Sequence, residues 1–483
     1  MILLIPLCCF MFLCYFFKKT NDSRVGRDLP PSPLSLPIIG HLHLLLSSLA
    51  HKSLQKLSSR YGSLLHLQIF NAPFILVSSV AVAHEIFSTH DVNVSFRGVP
   101  AIDESLLFGS HGVINAPCGD YWKFMKKLMV TKLLGPHAQE KSRGIRAGEL
   151  DRFYKNLLEK ARKKETVEMA KEAMKLTNNI MCRMVMGRSL SEEDDEAERL
   201  KGLVTESSDL MKRMFLAVLF RRQLKKLGIS LFKNNIMGVS NRFDEMLERI
   251  LAEHKEKPEK DQGTDMMDML LAAYRDEKAE YKITRNHIKA FFVELFLGGI
   301  DTSSTTIQLT MAEIINNPNT RMIQETDMPN LPYLQVVIKE TLRLHPPGPL
   351  LPREFQQGCE IGGFYVPEKT RLVVNAYVLM RDPDFWVDSL EFKPERFLAS
   401  SKAGQDDERK EKALKYLPFG GGRRGCPGSN LGYVMVGTAI GMMVQGFEWR
   451  IKGDKVNMEE AMDGIMLTMA HPLKLTPLTR YQQ

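Results

Sequence analysis

Twelve residues near the C-terminus constrain this chain more than any other stretch: Leu417-Pro418-Phe419-Gly420-Gly421-Gly422-Arg423-Arg424-Gly425-Cys426-Pro427-Gly428. Three consecutive glycines let a backbone approach something bulky at close range. Cys426 stands just before an apolar run of helical spacing, Ser429 to Gln445. A thiol at a helix N-terminus is biased toward thiolate by the exposed amides and the macrodipole, and thiolate is what a metal ligand must be. Gly420, Gly422 and Gly425 also satisfy G-x-G-x-x-G, but a dinucleotide site needs a strand running into the first glycine and another after the helix. Pro418 sits where that strand should finish, Pro427 interrupts where the helix should start, and too little chain follows for a nucleotide-binding fold. The match is coincidental. A dehydrogenase reading would require nucleotide binding.

The 483 residues are 44% hydrophobic and 25% charged, the balance of a globular protein with a large core. That excludes a disordered, collagenous or multi-spanning chain. A net charge of +8 without a long basic run gives no support to nucleic-acid binding, whereas a membrane surface or an acidic protein partner fits. Cys8, Cys9, Cys14, Cys118, Cys182, Cys359 and Cys426 form neither a C-x-x-C pair nor a disulfide framework, which points to a reducing compartment. Residues 1–17 are almost wholly apolar, and Lys18 and Lys19 follow directly. At ~1.5 Å per residue the run spans about 25 Å, near the lower limit for crossing a bilayer. A cleaved signal would carry its charge before the run and small residues at its end, so an uncleaved anchor is expected. The bulk of the chain then lies on the cytosolic side. Residues 18–40 are basic, then proline-rich, and read as a stiff hinge or a plain turn cluster.

Helical spacing dominates from about residue 52, near 52–60, 82–89, 119–133, 137–163, 168–185, 197–214, 235–256, 284–315, 331–344 and 429–445. Short β-like runs fall at 64–70, 74–78, 360–366, 371–375 and within the last forty residues. The expected fold class is therefore mainly α with small β-sheets. The longest helix is apolar nearly all round at 290–300 and carries Gly298-Gly299-Ile300-Asp301-Thr302-Ser303 in its middle. Two such glycines cost about 1–2 kcal/mol against alanine, and a core Asp costs more unless satisfied. Either the helix kinks around a satisfied polar side chain, or a groove opens where an acid and an alcohol pass protons to a buried site.

With these residues together, the chain resembles a cytochrome P-450, a haem-thiolate monooxygenase of the microsomal plant type. The loop matches the family signature at Phe419, Gly422, Arg424, Cys426 and Gly428. The proline-rich hinge, Trp122 with a base four residues on, Gly298–Ser303, Glu340-Thr341-Leu342-Arg343 and Pro394-Glu395-Arg396-Phe397 follow in family order. The resemblance implies a single large haem-binding domain over 41–483, with Cys426 as axial thiolate and Phe419 shielding the sulfur. It implies that Arg424, Arg353, Trp122 and Lys126 reach the haem propionates, and that Asp301 and Thr302 hold the water chain that delivers protons. Glu340 and Arg343, spaced like any helix-surface pair, would form a buried structural core with Arg396. The family draws electrons from NADPH through a reductase and works on dioxygen and small hydrophobic molecules at the cytosolic face of the endoplasmic reticulum membrane. Lys123, Lys126, Lys127 and Lys132 would be a solvated face or would steer that reductase.

By the same resemblance, 99–116 and 210–236 line the substrate pocket, where Phe108, Phe215, Leu216, Leu219 and Phe220 are apolar. The wording is nearest to plant branches that modify triterpenes and flavonoids; a triterpenoid is expected, with a flavonoid as the alternative. Three departures stand out. Lys126 replaces the usual Arg, Ile300 stands where a small or hydroxylated residue is common and would narrow the oxygen groove, and only residues 319–330 join the long helix to the Glu-Arg helix. Relatives carry roughly fifteen more residues there, a helix of about 22 Å. Such a deletion would yield a chain that folds poorly or holds haem weakly, and an inactive variant is the alternative function.

Overall fold

The computed structural model describes residues 29–45, 49–70, 72–98, 111–187, 199, 202–207, 210, 233–256, 265–317, 332–398 and 414–480. The anchor, the start of the hinge, the connection 319–330 and the pocket residues Phe108, Phe215, Leu216, Leu219 and Phe220 lie outside the described residues. Among the described residues no helix is long and apolar enough to cross a membrane.

The chain divides into two compact units. The first takes residues up to Gly98, Leu350–Ser389 and Gln405–Arg424. Its four-stranded sheet runs in the order Leu64–Ile69, Ala72–Val77, Arg371–Asn375 and Leu350–Glu354. Period-two alternation sorts the strands' side chains. Leu65, Leu67, Phe74 and Leu76 pack with Leu54 and Leu57 of α1 (Ala50–Tyr61). Leu64, Ile75 and Val77 pack on the other side with Ala83, Ile86 and Phe87 of α2 (Val80–Thr89). The strand Leu350–Glu354 escapes a periodicity reading because Pro352 interrupts it. It sits at the sheet edge, where a missing N–H need not cost a ladder bond. The run 360–366 is a hairpin, Cys359–Ile361 with Phe364–Val366, turning on Gly362 and Gly363 at φ 56° and 80°.

The second unit takes 99–349, Leu390–Gly404 and Gly425 onward, and is mostly helical. The expected helix 119–133 ends as α3 (Asp120–Leu128), with a π turn over Met129–Leu133 closed by the Leu134 N–H on the Met129 carbonyl at 2.7 Å. The expected helix 137–163 is two, α4 (Pro136–Lys141) and α5 (Arg143–Arg162). Ser142 leaves helical geometry between them; its hydroxyl donates to the Ala138 carbonyl at 2.8 Å and accepts from Arg146 at 2.6 Å. There follow α6 (Met169–Met186), α7 (Lys233–Glu256), α8 (Met266–Arg275), α9 (Arg285–Asn316), α10 (Pro332–Leu344) and α11 (Ser429–Gly446). The short α8 was not legible as a period, but Asp265 caps it by accepting the Asp268 N–H at 2.9 Å. Small sheets close the unit, with Lys474–Thr479 between Val167–Glu168 and Phe447–Arg450.

α9 is the central element, packed against α6, α10 and α11. It is one unbroken α-helix of 32 residues, started by a capping box in which Thr284 and His287 satisfy each other's backbone N–H groups. Its middle is not buried all round: Glu294, Leu295, Leu297 and Gly299 are half-buried and Gly298 is exposed.

Candidate functional site

The site residues fall in both units, and each unit holds a distinct chemistry. In the first, the glycine loop turns at Gly420 and Gly422, with φ 72° and 65°. A Cβ on Gly422 would collide with the Asp91 carboxylate, which accepts the Arg423 N–H at 3.0 Å. The glycines thus serve a tight turn onto an acid. Phe419 is half-buried, and Arg424 is buried with its Nε donating to the Ser95 carbonyl. Arg97 donates to the Arg424 carbonyl at 3.4 Å, and Arg353 donates to the Pro352 carbonyl at 2.7 Å. Burial pushes the Arg353 guanidinium down to about 9; the neighbouring charges of Arg97 and then Arg424 add to this, and Asp91 opposes it. Sequence reasoning named Arg353 and Arg424 but missed Arg97 and Asp91, which no local pattern marks.

In the second unit, Cys426 is exposed, two residues before Gly428, the N-cap of α11. A Cβ on Gly428 would stand 3.8 Å from the Cys426 sulfur. Trp122 is buried on α3, and one turn on Lys126 donates to the Gly425 carbonyl at 2.8 Å, next to the cysteine. The other lysines of this stretch face outward; Lys127 meets Glu280 at 2.7 Å and Lys123 meets Asp120 at 3.6 Å.

On α9, Thr302 donates its hydroxyl hydrogen to the Gly298 carbonyl at 2.7 Å, which leaves its lone pairs as acceptors. Asp301 beside it is half-buried. Gly298 and Thr302 share a face, four residues apart, and a Cβ on Gly298 would meet open space. Ile300 lies about 200° from Gly298 around the helix and is buried; its carbonyl accepts from Thr177 of α6 at 3.4 Å. The expectation that Ile300 narrows the groove is therefore corrected: it packs on the opposite side.

Glu340 and Arg343 of α10 are wholly buried and doubly bonded, Nε to Oε2 and Nη2 to Oε1, each at 2.8 Å. Arg396 adds a third donor to Glu340 at 3.0 Å, and the Lys393 N–H a fourth at 2.9 Å.

Each set suits a group of its own kind, anionic in the first unit and a metal such as iron in the second. The buried arginines raise one another's cost as cations, which carboxylates of a ligand would relieve, and an exposed sulfur is a soft donor of the kind iron takes. A family model described as Cytochrome P450 matches residues 30–476. Cytochrome P450 705A22 of Arabidopsis thaliana is 71% identical, with 97% of this chain and 94% of the relative covered. The 3,9-dihydroxypterocarpan 6A-monooxygenase of Glycine max is 37% identical, covering 99% and 98%. A zebrafish cytochrome P450 structure with progesterone superposes with a TM-score of 0.75, covering 89% of this chain and 99% of that one; at 23% identity it speaks for the fold alone. The chain belongs to the cytochrome P450 family, whose members are haem-thiolate monooxygenases. Its fold is the mainly helical P450 domain with small sheets, as its composition and periodicity led one to expect.

Proposed function

We propose that this enzyme inserts one atom of dioxygen into an apolar plant triterpenoid, taking two electrons from NADPH through a reductase and releasing the second oxygen atom as water. The observation that carries the reading is the exposed Cys426 sulfur at the head of the half-buried helix α11. When bound, haem supplies the reduction of dioxygen and the transfer of oxygen to carbon. Cys426 would hold its iron as a thiolate, and Lys126 steadies that loop through the Gly425 carbonyl. In the first unit Arg353, Arg424 and Arg97 would hold its propionates, with Phe419 as an apolar neighbour of that loop; in the second, Trp122 would pack beside it. Thr302 accepts from a water that Asp301 replenishes with protons. The choice against a flavonoid-type substrate rests on identity: 58–71% to the 705A relatives, whose names state no substrate, against 37% to the pterocarpan enzyme.

The outward lysines Lys123, Lys127 and Lys132 give an acidic reductase a face to dock on, and the apolar run 1–17 anchors the enzyme in the endoplasmic reticulum membrane. The reduced, carbon-monoxide-bound difference spectrum tests the core of this: a strongly red-shifted Soret band is expected. A band at the neutral-ligand position overturns it.

The shortened connection 319–330 favours a second reading, a member of the family impaired in haem binding. The alignment to the 71% relative spans 486 positions although only 97% of this chain enters it, so the relative holds residues that this chain lacks. Restoring a family-length segment should raise haem occupancy under this reading; unchanged occupancy counts against it.

A further inference from the structure

Glu294 sits on α9 one turn before Gly298, and both its oxygens are engaged by main chain far away in sequence. One accepts the Val113 N–H at 2.8 Å and the other the Ile114 N–H at 2.9 Å. The neighbouring His111 carbonyl accepts from the Tyr121 hydroxyl of α3, and the Tyr121 ring stacks on His287 of α9 with centroids 4.3 Å apart. Gly112 is buried inside this arrangement, and a Cβ there would collide with Oε1 of Glu294. Space, rather than backbone freedom, demands the glycine. Two charge-assisted bonds to adjacent amides hold a loop more firmly than neutral contacts would.

Residues four apart on a helix share a face about 6 Å apart along the axis. The strip of α9 on which the loop rests therefore continues into the exposed Gly298 and the half-buried Thr302. Ile114, 41% exposed, is an apolar side chain carried by that loop. We propose that Glu294 is a positioning residue for substrate binding: its carboxylate latches Gly112–Ile114 onto α9, so that the loop stands ordered beside the Gly298–Thr302 turn before an apolar molecule arrives. Ordering the loop in advance removes a cost that binding would otherwise meet. Glutamine cannot replace the acid, because its NH2 would face one of the two N–H groups. The kind of molecule bound rests on the monooxygenase reading; the latch itself does not.

The test uses the full-length protein in detergent, with amide hydrogen exchange of peptides covering 111–118 and 169–186 and a spectral titration with 4-phenylimidazole. Glu294→Gln should speed exchange in 111–118 and weaken 4-phenylimidazole, each by roughly tenfold, the worth of one lost hydrogen bond to a charged group. Exchange in 169–186 and the carbon-monoxide band should stay as in the wild type. Gly112→Ala should act alike. Glu294→Asp withdraws the carboxylate, so adding Gly112→Ala to it should cost little more than Glu294→Asp alone. Unchanged protection of 111–118 in Glu294→Gln, additive effects in the double variant, or faster exchange without weaker 4-phenylimidazole binding would each overturn the proposal. Loss of protection in 169–186 as well would reduce Glu294 to a general structural role and overturn it too. A wild-type protein without a thiolate-type band strikes at the monooxygenase reading alone, because the exchange arm still decides the latch.

Discussion

Two clusters of buried arginine show opposite solutions to the same problem. Around Glu340 the guanidinium of Arg343 lies in bidentate contact with a carboxylate, Arg396 and the Lys393 N–H add two more donors on Oε1, and the Glu391 carbonyl takes a further Arg343 bond at 3.2 Å. Around Arg353 the dominant influences are burial and two more arginines, with Asp91 as the opposing charge. The first cluster has its buried charges paired within the fold and serves it. The second keeps a cationic character at a cost to the protein alone, which makes sense where an anionic ligand completes it.

The largest expected effect comes from breaking the balanced cluster. Glu340→Gln strands Arg343 with no exposure to water and should cost about 3–5 kcal/mol, leaving little folded, haem-containing protein; thermal unfolding and haem content measure it. Next, Cys426→Ser should abolish the red-shifted carbon-monoxide band and turnover while the helical circular dichroism persists, separating iron ligation from folding.

Arg353→Met sharpens the comparison most. It should leave the haem-free protein as stable as the wild type or more so, yet speed haem loss to an acceptor protein roughly tenfold. A haem-free protein as damaged as Glu340→Gln would erase the distinction between the clusters.

A smaller effect is expected at His287, where burial and then His111 depress the imidazole to about 4 while its Nδ1 accepts the Thr284 N–H at 2.9 Å. The unfolded chain binds a proton between pH 6.5 and 4 that the folded chain refuses, so stability falls as pH drops through that window. His287→Gln, which retains an acceptor at the cap, should flatten that fall in urea titrations. Least of all, Lys126→Met should lose about 0.5–1.5 kcal/mol with the bond to the Gly425 carbonyl, read as a small drop in melting temperature.

Most helices were legible because their apolar residues recur at three and four positions. Two failures have local causes, a serine that turns its hydroxyl back at 142 and a proline on an edge strand at 352; α8 is as long as α2, whose period was read, and is marked instead by its Asp265 cap. The site divides in the same way. Cys426, Arg424 and the Gly298–Thr302 turn announce themselves through neighbours in sequence, whereas Arg97, Asp91, Glu294 and Gly112 matter only through what stands opposite them.

What the sequence determined by itself is chemistry carried at short range: a cysteine heading a helix, glycines that permit a turn, an acid beside an alcohol in an apolar helix, and hence the family. The tertiary structure alone decided which way those groups face. Ile300 is a neighbour of Asp301 in sequence, yet packing buries it while Asp301 stays half-buried. Likewise Glu340 and Arg343 have the spacing of a weak surface pair, and only their complete burial, with Arg396 brought alongside from elsewhere in the chain, makes them a structural core. Periodicity reports that a face is apolar; what that face meets is settled by packing between segments distant in the chain.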